Sequence, residues 1–160
     1  MKKLIILIVF CVVFSSLTGA EKPGDFEKYW TRWRGPYATG VSPHGNPPVE
    51  WSETKNIKWK IEDPGKGHST PIIYGDQLFI TTAVETDKVG NPKKKGEGEG
   101  RSHGWMKPNK TDKVQKFVVL AINRQNGKIN WQKTVREEWP EESSSHNLGS
   151  WASNSAVTDG

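Results

Sequence analysis

Short apolar runs closed by Gly-containing turns recur along the chain. The clearest surrounds residues 121–131, read as A-I-N-R-Q-N-G-K-I-N-W. Before it, residues 116–123 form a β-type run with Phe117, Val118, Val119, Leu120 and Ile122. After it, residues 128–135 read as a second strand with Ile129, Trp131 and Val135. Between them lies Arg124-Gln125-Asn126-Gly127. Asn-Gly between two such runs predicts a β-hairpin, because Gly accepts the positive φ that the turn needs. A second hairpin is predicted over residues 69–80, where Ile72 and Ile73 enter a Tyr-Gly-Asp turn and Leu78, Phe79 and Ile80 leave it. Upstream, the alternation of Ile57, Trp59 and Ile61 predicts a strand with one buried face. The Ser-x-x-hydrophobic pattern of residues 69–73 returns at residues 153–160, again after a Trp-bearing strand. The chain therefore repeats itself: Trp strand, loop, Ser-led strand, turn.

Ala121, Gly127 and Trp131 match the A-x-D-x-x-x-G-x-x-x-W repeat of the quinoprotein-like (PQQ-repeat) β-propellers, and the region resembles that family. Asn123 stands where the repeat usually has Asp. The resemblance implies that Trp131 is a staple between neighbouring blades, with the small residue and the Gly leaving room for an indole. Trp59 is the corresponding copy upstream. The two copies are spaced more widely than the roughly 40–50 residues of an ordinary blade, which implies insertions. Trp30-Thr31-Arg32-Trp33-Arg34-Gly35-Pro36 with Gly40-Val41 is similar to the opening of secreted members. His146-Asn147 with Ser150-Trp151-Ala152-Ser153 resembles the stretch before a blade's inner strand, although Asn154-Ser155 replaces the usual Thr-Pro.

The remaining segments frame this core. Residues 1–20 carry Lys2 and Lys3, an apolar run over 4–14 and Thr18-Gly19-Ala20, the pattern of a signal peptide cut after Ala20. The apolar run is short of the roughly 20 residues of a membrane span. A lipoprotein reading of Cys11 fails because Phe10 precedes it and Cys11 lies inside the apolar run. Residues 21–48 form an N-terminal extension. There Trp30 and Trp33 suit one helical turn or a compact loop, with Arg32 or Arg34 stacked on an indole. That extension is expected to pack on the propeller surface, the alternative being a ligand platform. Residues 49–160 are the repeat region, expected to be cut in mid-blade because Asp159-Gly160 is a turn signal; the alternative is a small domain with a frayed tail. Residues 85–115 read as a mobile insertion, since Lys93-Lys94-Lys95-Gly96-Glu97-Gly98-Glu99-Gly100 is too polar to repay ordering. Trp105 and Met106 within it are candidates for pinning it back. Residues 136–147 read as a second inserted loop.

Composition narrows the classes. With 23 basic and 18 acidic residues, the net charge is +5. It is smaller once Lys2 and Lys3 leave with the leader, and the basic residues form no stripe interleaved with aromatics, which argues against nucleic acid. Eight Trp with 16 Gly and 10 Pro suit a turn-rich β domain. The single Cys excludes a disulfide framework or a Cys-based metal site in this stretch.

Candidate chemistry is sparse. His44, His68, His103 and His146 have no metal-ligand spacing. Glu137/Glu138 and Glu141/Glu142 have no apolar surroundings to split their pKa values. The Gly-rich stretch at residues 64–69 lacks the spacing of a phosphate loop. No catalytic or metal residue is assigned. The expectation is an all-β chain of one to two quinoprotein-like propeller blades, in a periplasmic or secreted protein with no membrane span after cleavage. It is expected to be a non-catalytic scaffold that binds a protein or polymer partner and needs no cofactor. The alternative is a fragment of a PQQ-dependent alcohol or sugar dehydrogenase, which would use PQQ and calcium.

Overall fold

The computed structural model describes residues 27–90, 111–141 and 149–159. The leader, the low-complexity core of the insertion with Trp105 and Met106, and His146-Asn147 lie outside the described residues. Within them the chain is all-β, with one four-stranded antiparallel sheet and no helix. β1 (Ile72–Tyr74), β2 (Gln77–Val89), β3 (Lys113–Asn123) and β4 (Ile129–Glu138) lie side by side in chain order. Both predicted hairpins are present. Tyr74 pairs with Gln77 across the two-residue turn Gly75-Asp76, and Gly75 has φ +57°. In the second, β3 and β4 run from Gln115 opposite Glu138 to Ile122 opposite Ile129.

Alternation along β3 divides the core. Val118, Leu120 and Ile122 are buried on one face, packed with Leu78, Ile80, Val84 and Trp59. Ala121 points to the other face and is fully buried. Residues on opposite faces of a strand meet different neighbours, so each face is closed by a separate set of side chains.

Three expectations about strand extents are corrected. β2 continues to Val89 and β3 starts at Lys113, so both flanks of the expected insertion over 85–115 belong to the ladder. Likewise β4 continues to Glu138, taking the first residues of the expected loop over 136–147. Across these flanks opposite charges meet in register: Lys116 faces Glu137 across the ladder, and the Lys88 ammonium reaches Glu137 from β2. The third correction concerns residues 57–61, which form no strand. Ile57 is 51% and Ile61 37% exposed, so the predicted buried face does not exist. No neighbouring strand takes up this backbone among the described residues; side chains fasten it instead, with Trp59 Nε1–H donating to the Arg124 carbonyl and Lys58 Nζ to Gln125 Oε1. Residues 153–159 are likewise extended without a ladder. They are held by single bonds, such as Thr70 N–H to Ser155 Oγ at 2.8 Å and Thr158 N–H to the Thr31 carbonyl at 3.0 Å.

The outer side of β2 is completed by residues 65–70. Lys66 and Ala83 exchange both backbone hydrogen bonds, at 2.9 and 3.1 Å. A Cβ on Gly65 would sit 2.4 Å from the Ala83 carbonyl, so the Gly-rich stretch exists to bring two backbones together. At Thr81 a side chain replaces the ladder. Ser69 Oγ accepts the Thr81 N–H at 3.0 Å and donates to its carbonyl at 3.1 Å. The neighbouring Thr82 hydroxyl is buried with no partner among the described residues.

These two hydroxyls predict opposite outcomes. Ser69→Ala strands a backbone N–H and carbonyl and is expected to cost about 1–2 kcal/mol, whereas Thr82→Val removes an unsatisfied group and is expected to be neutral or stabilising by up to about 1 kcal/mol. Urea midpoints of the two variants check the signs.

Hydrogen bonding from Lys88, aided by its charge and that of Lys116, holds the Glu137 carboxyl below the usual glutamate range. A depressed carboxylate contributes stability that is present above its unfolded pKa and lost as pH falls through its folded value. The site is exposed, so the effect on stability is small. An NMR titration should place Glu137 below an ordinary glutamate, and Lys88→Ala should move it upward.

Candidate functional site

The residues singled out by the repeat pattern gather at the β3–β4 turn. Asn123 organises it. Its Oδ1 accepts the N–H of Gln125 at 2.9 Å and of Asn126 at 3.2 Å. Its backbone N–H bonds the Lys128 carbonyl at 2.7 Å, and its carbonyl accepts the Gly127 N–H at 2.9 Å. Asp would offer the same acceptor, so Asn123 serves the turn as well as the residue usual at that repeat position. Gly127 has φ +73°, a conformation that costs other residues strain.

The indole of Trp59 is seated on this turn. Its Nε1–H donates to the Arg124 carbonyl at 2.9 Å. A Cβ added to Gly127 would lie 2.8 Å from the Trp59 ring, so the absent side chain is the seat. Trp59 also packs on Val118, Leu120 and Ile122. One side chain thus covers an apolar face and satisfies a carbonyl outside the ladder.

Trp131 occupies the opposite face. In register, Ala121 lies between Phe79 on β2 and Trp131 on β4. The small alanine lets the two aromatics meet above it, with ring centroids 5.9 Å apart and planes tilted 51°. Trp131 remains 44% exposed. The structure therefore brings Ala121, Asn123, Gly127 and Trp59 around one hairpin. Trp131 packs on Phe79 alone among the described aromatic rings.

Beside the turn, residues 27–43 cross the edge of β1, where Ile73 N–H bonds the Trp30 carbonyl at 2.7 Å. They enclose a cleft of about 180 Å³ with walls from Tyr29, Trp30, Pro36, Pro43, Ile73 and Arg124. Tyr29 lies tilted against Tyr74, ring centroids 5.0 Å apart, and Arg34 lies over the Trp33 ring at 5.7 Å, the stacking expected of one of the two arginines. The Tyr37 hydroxyl donates to Glu27, and that hydrogen bond raises its pKa. Among the described residues no three His, Cys, Asp or Glu side chains converge as a metal group would. The cleft offers aromatic walls, with Glu27, Lys28, Ser42 and Arg124 also in its lining.

Several contacts had no counterpart in the sequence reading. Phe79 carried no sign that it would meet Trp131. Trp139 covers Gly90, whose added Cβ would lie 2.1 Å from the indole, and donates to the Thr111 carbonyl at 3.0 Å. Trp30 covers Gly35 in the same way, at 2.5 Å. The pairs lie five and 49 positions apart, so no common spacing marks them.

No protein-family model, curated protein or solved structure matches the chain.

The two tryptophans should differ in energetic weight. Trp59 is half-buried, so Trp59→Ala is expected to cost about 2–3 kcal/mol, below the ~3–5 of a fully buried Trp. Trp59→Phe should cost about 1 kcal/mol, the worth of its hydrogen bond, and Trp131→Ala about 1 kcal/mol, the worth of one aromatic pair. Equal losses at Trp59 and Trp131 in urea unfolding would contradict this assignment.

Proposed function

We propose that the chain forms part of a quinoprotein-like β-propeller that acts as a non-catalytic, extracytoplasmic scaffold binding a protein or polymer partner through the propeller surface. The observation that supports this reading is the seating of Trp59 on the Arg124–Gly127 turn. An element that precedes the sheet locks by its indole onto the sheet's own hairpin, as successive blades would. The four strands in simple meander order have the number and order that a propeller blade uses. The half-exposed Trp131 on the other face suits the next contact in such a series. The extracytoplasmic location is proposed from the basic and apolar pattern of residues 1–20. The scaffold role is an inference from architecture, since folds of this kind carry many functions.

The test is direct. Full-length protein is supplied with PQQ and calcium while dye-linked oxidation of alcohols and sugars is followed, and no turnover is expected. Sustained oxidation would replace the scaffold reading with the dehydrogenase. In parallel, a photocrosslinker at exposed Gln132 or Lys133 in envelope preparations should give a defined adduct with one protein or glycan, and failure to form any adduct would count against partner binding.

A further inference from the structure

Asn126-Gly127 is the single Asn-Gly pair in the chain, and it lies in the turn that Trp59 clamps. Asn-Gly is the dipeptide whose geometry most favours intramolecular attack, because Gly offers no side chain to hinder it. The Gly127 backbone nitrogen attacks Asn126 Cγ and forms a new C–N bond. The Cγ–Nδ2 bond breaks, and ammonia leaves carrying the proton from the backbone nitrogen. Water then opens the five-membered imide at either carbonyl. One product is aspartate; the other is isoaspartate, in which the main chain runs through the former side-chain carbon. The net exchange is water in and ammonia out, with no oxidant or reductant.

In the folded turn every participant is occupied. The Gly127 N–H is donated to the Asn123 carbonyl at 2.9 Å, so the nitrogen is held as a hydrogen-bond donor rather than freed as a nucleophile. Asn126 Oδ1 accepts the Lys128 N–H at 2.9 Å, which fixes the side-chain amide. The Asn126 N–H is held by Asn123 Oδ1 at 3.2 Å. The Trp59 ring fills the space over Gly127 into which the turn would move. Gly127 is buried while Asn126 is exposed, so water is at hand and the rigid turn is the barrier.

We infer that Asn126 is a latent deamidation site, held shut by Trp59 and opened when that indole leaves the turn. The two products differ in consequence. Aspartate at 126 keeps an acceptor for the Lys128 N–H. Isoaspartate adds an atom to the backbone of the loop that Trp59 grips, displacing the Arg124 carbonyl from Gly127, so the indole cannot return to the same seat. Transient undocking is thereby converted into a permanent release.

The experiment incubates the full chain at mildly alkaline pH and quantifies aspartate and isoaspartate at position 126 by peptide mapping. Wild type in buffer should convert at least about tenfold more slowly than the same chain in urea, because reaction waits on local opening. Trp59→Phe keeps the ring and loses the bond to Arg124, so it should stay folded by circular dichroism and react about fivefold faster than wild type, the equivalent of one hydrogen bond. Trp139→Phe, altered at the far end of the sheet, should react at the wild-type rate. A folded Trp59→Phe variant with the wild-type rate, or wild type in buffer as fast as in urea, would overturn the proposal.

Discussion

A large flat ring laid on a residue without a side chain is the contact on which this structure depends. Trp59 on Gly127, Trp139 on Gly90 and Trp30 on Gly35 each follow that plan. The sheet needs it because its large, fully buried side chains among the described residues are few, namely Ile72, Leu120, Ile122 and Thr82. Four strands alone bury little; an indole adds a large apolar area at the cost of ordering two side-chain torsions. It also carries one donor. Trp59 uses that donor on the Arg124 carbonyl and Trp139 on the Thr111 carbonyl, both outside the regular ladder. Apolar cover and carbonyl capping come from the same side chain, so chain segments without strand structure still hold to the sheet.

Short polar side chains complete what the ladder omits. Ser69 stands in for a strand residue at Thr81, Asn123 builds the β3–β4 turn, and Ser153 Oγ bonds both backbone groups of Ser150 just before Ser155 Oγ accepts the Thr70 N–H. Each substitution matches a place where the chain cannot keep strand geometry. Near Ser69 the backbone shifts from the Lys66–Ala83 bridge to the β1–β2 pairing. A serine spans the break with a donor and an acceptor on one oxygen, where a larger residue would displace β2.

Both hairpins could be read in the sequence because their signals are local. Asn126-Gly127 and Gly75-Asp76 sit between apolar runs, and turn chemistry sets the register of what flanks them. Strand ends were less legible: residues 85–89, 113–115 and 136–138 are mostly polar or charged, and only their pairing across three strands makes them ladder. Residues 57–61 misled in the opposite sense. Their alternation is that of a strand, but alternation reports a half-buried surface and supplies no neighbour to hydrogen-bond. Within the candidate site, Ala121, Asn123, Gly127, Trp59 and Trp131 were identifiable from the repeat pattern. Which indole meets which surface was not, since Trp59 reaches Gly127 across more than sixty positions and Trp131 turns to Phe79 instead.

The two faces and the free edge of the sheet are not equivalent, and the difference limits how it can grow. β4 is exposed along its whole length, yet it is a poor template for another strand. Its register slips beside Ala121/Ile122 and again beside Phe117/Val118, and Lys133, Arg136, Glu137 and Glu138 line it with both charges. Irregular register and interspersed charge are the devices by which proteins keep an edge from pairing. On the face carrying Phe79 and Trp131 the aromatic pair stays partly open, with Lys133 beside it on the same face. The open aromatic surface of this sheet is therefore on the Trp131 face, opposite the one that Trp59 already covers.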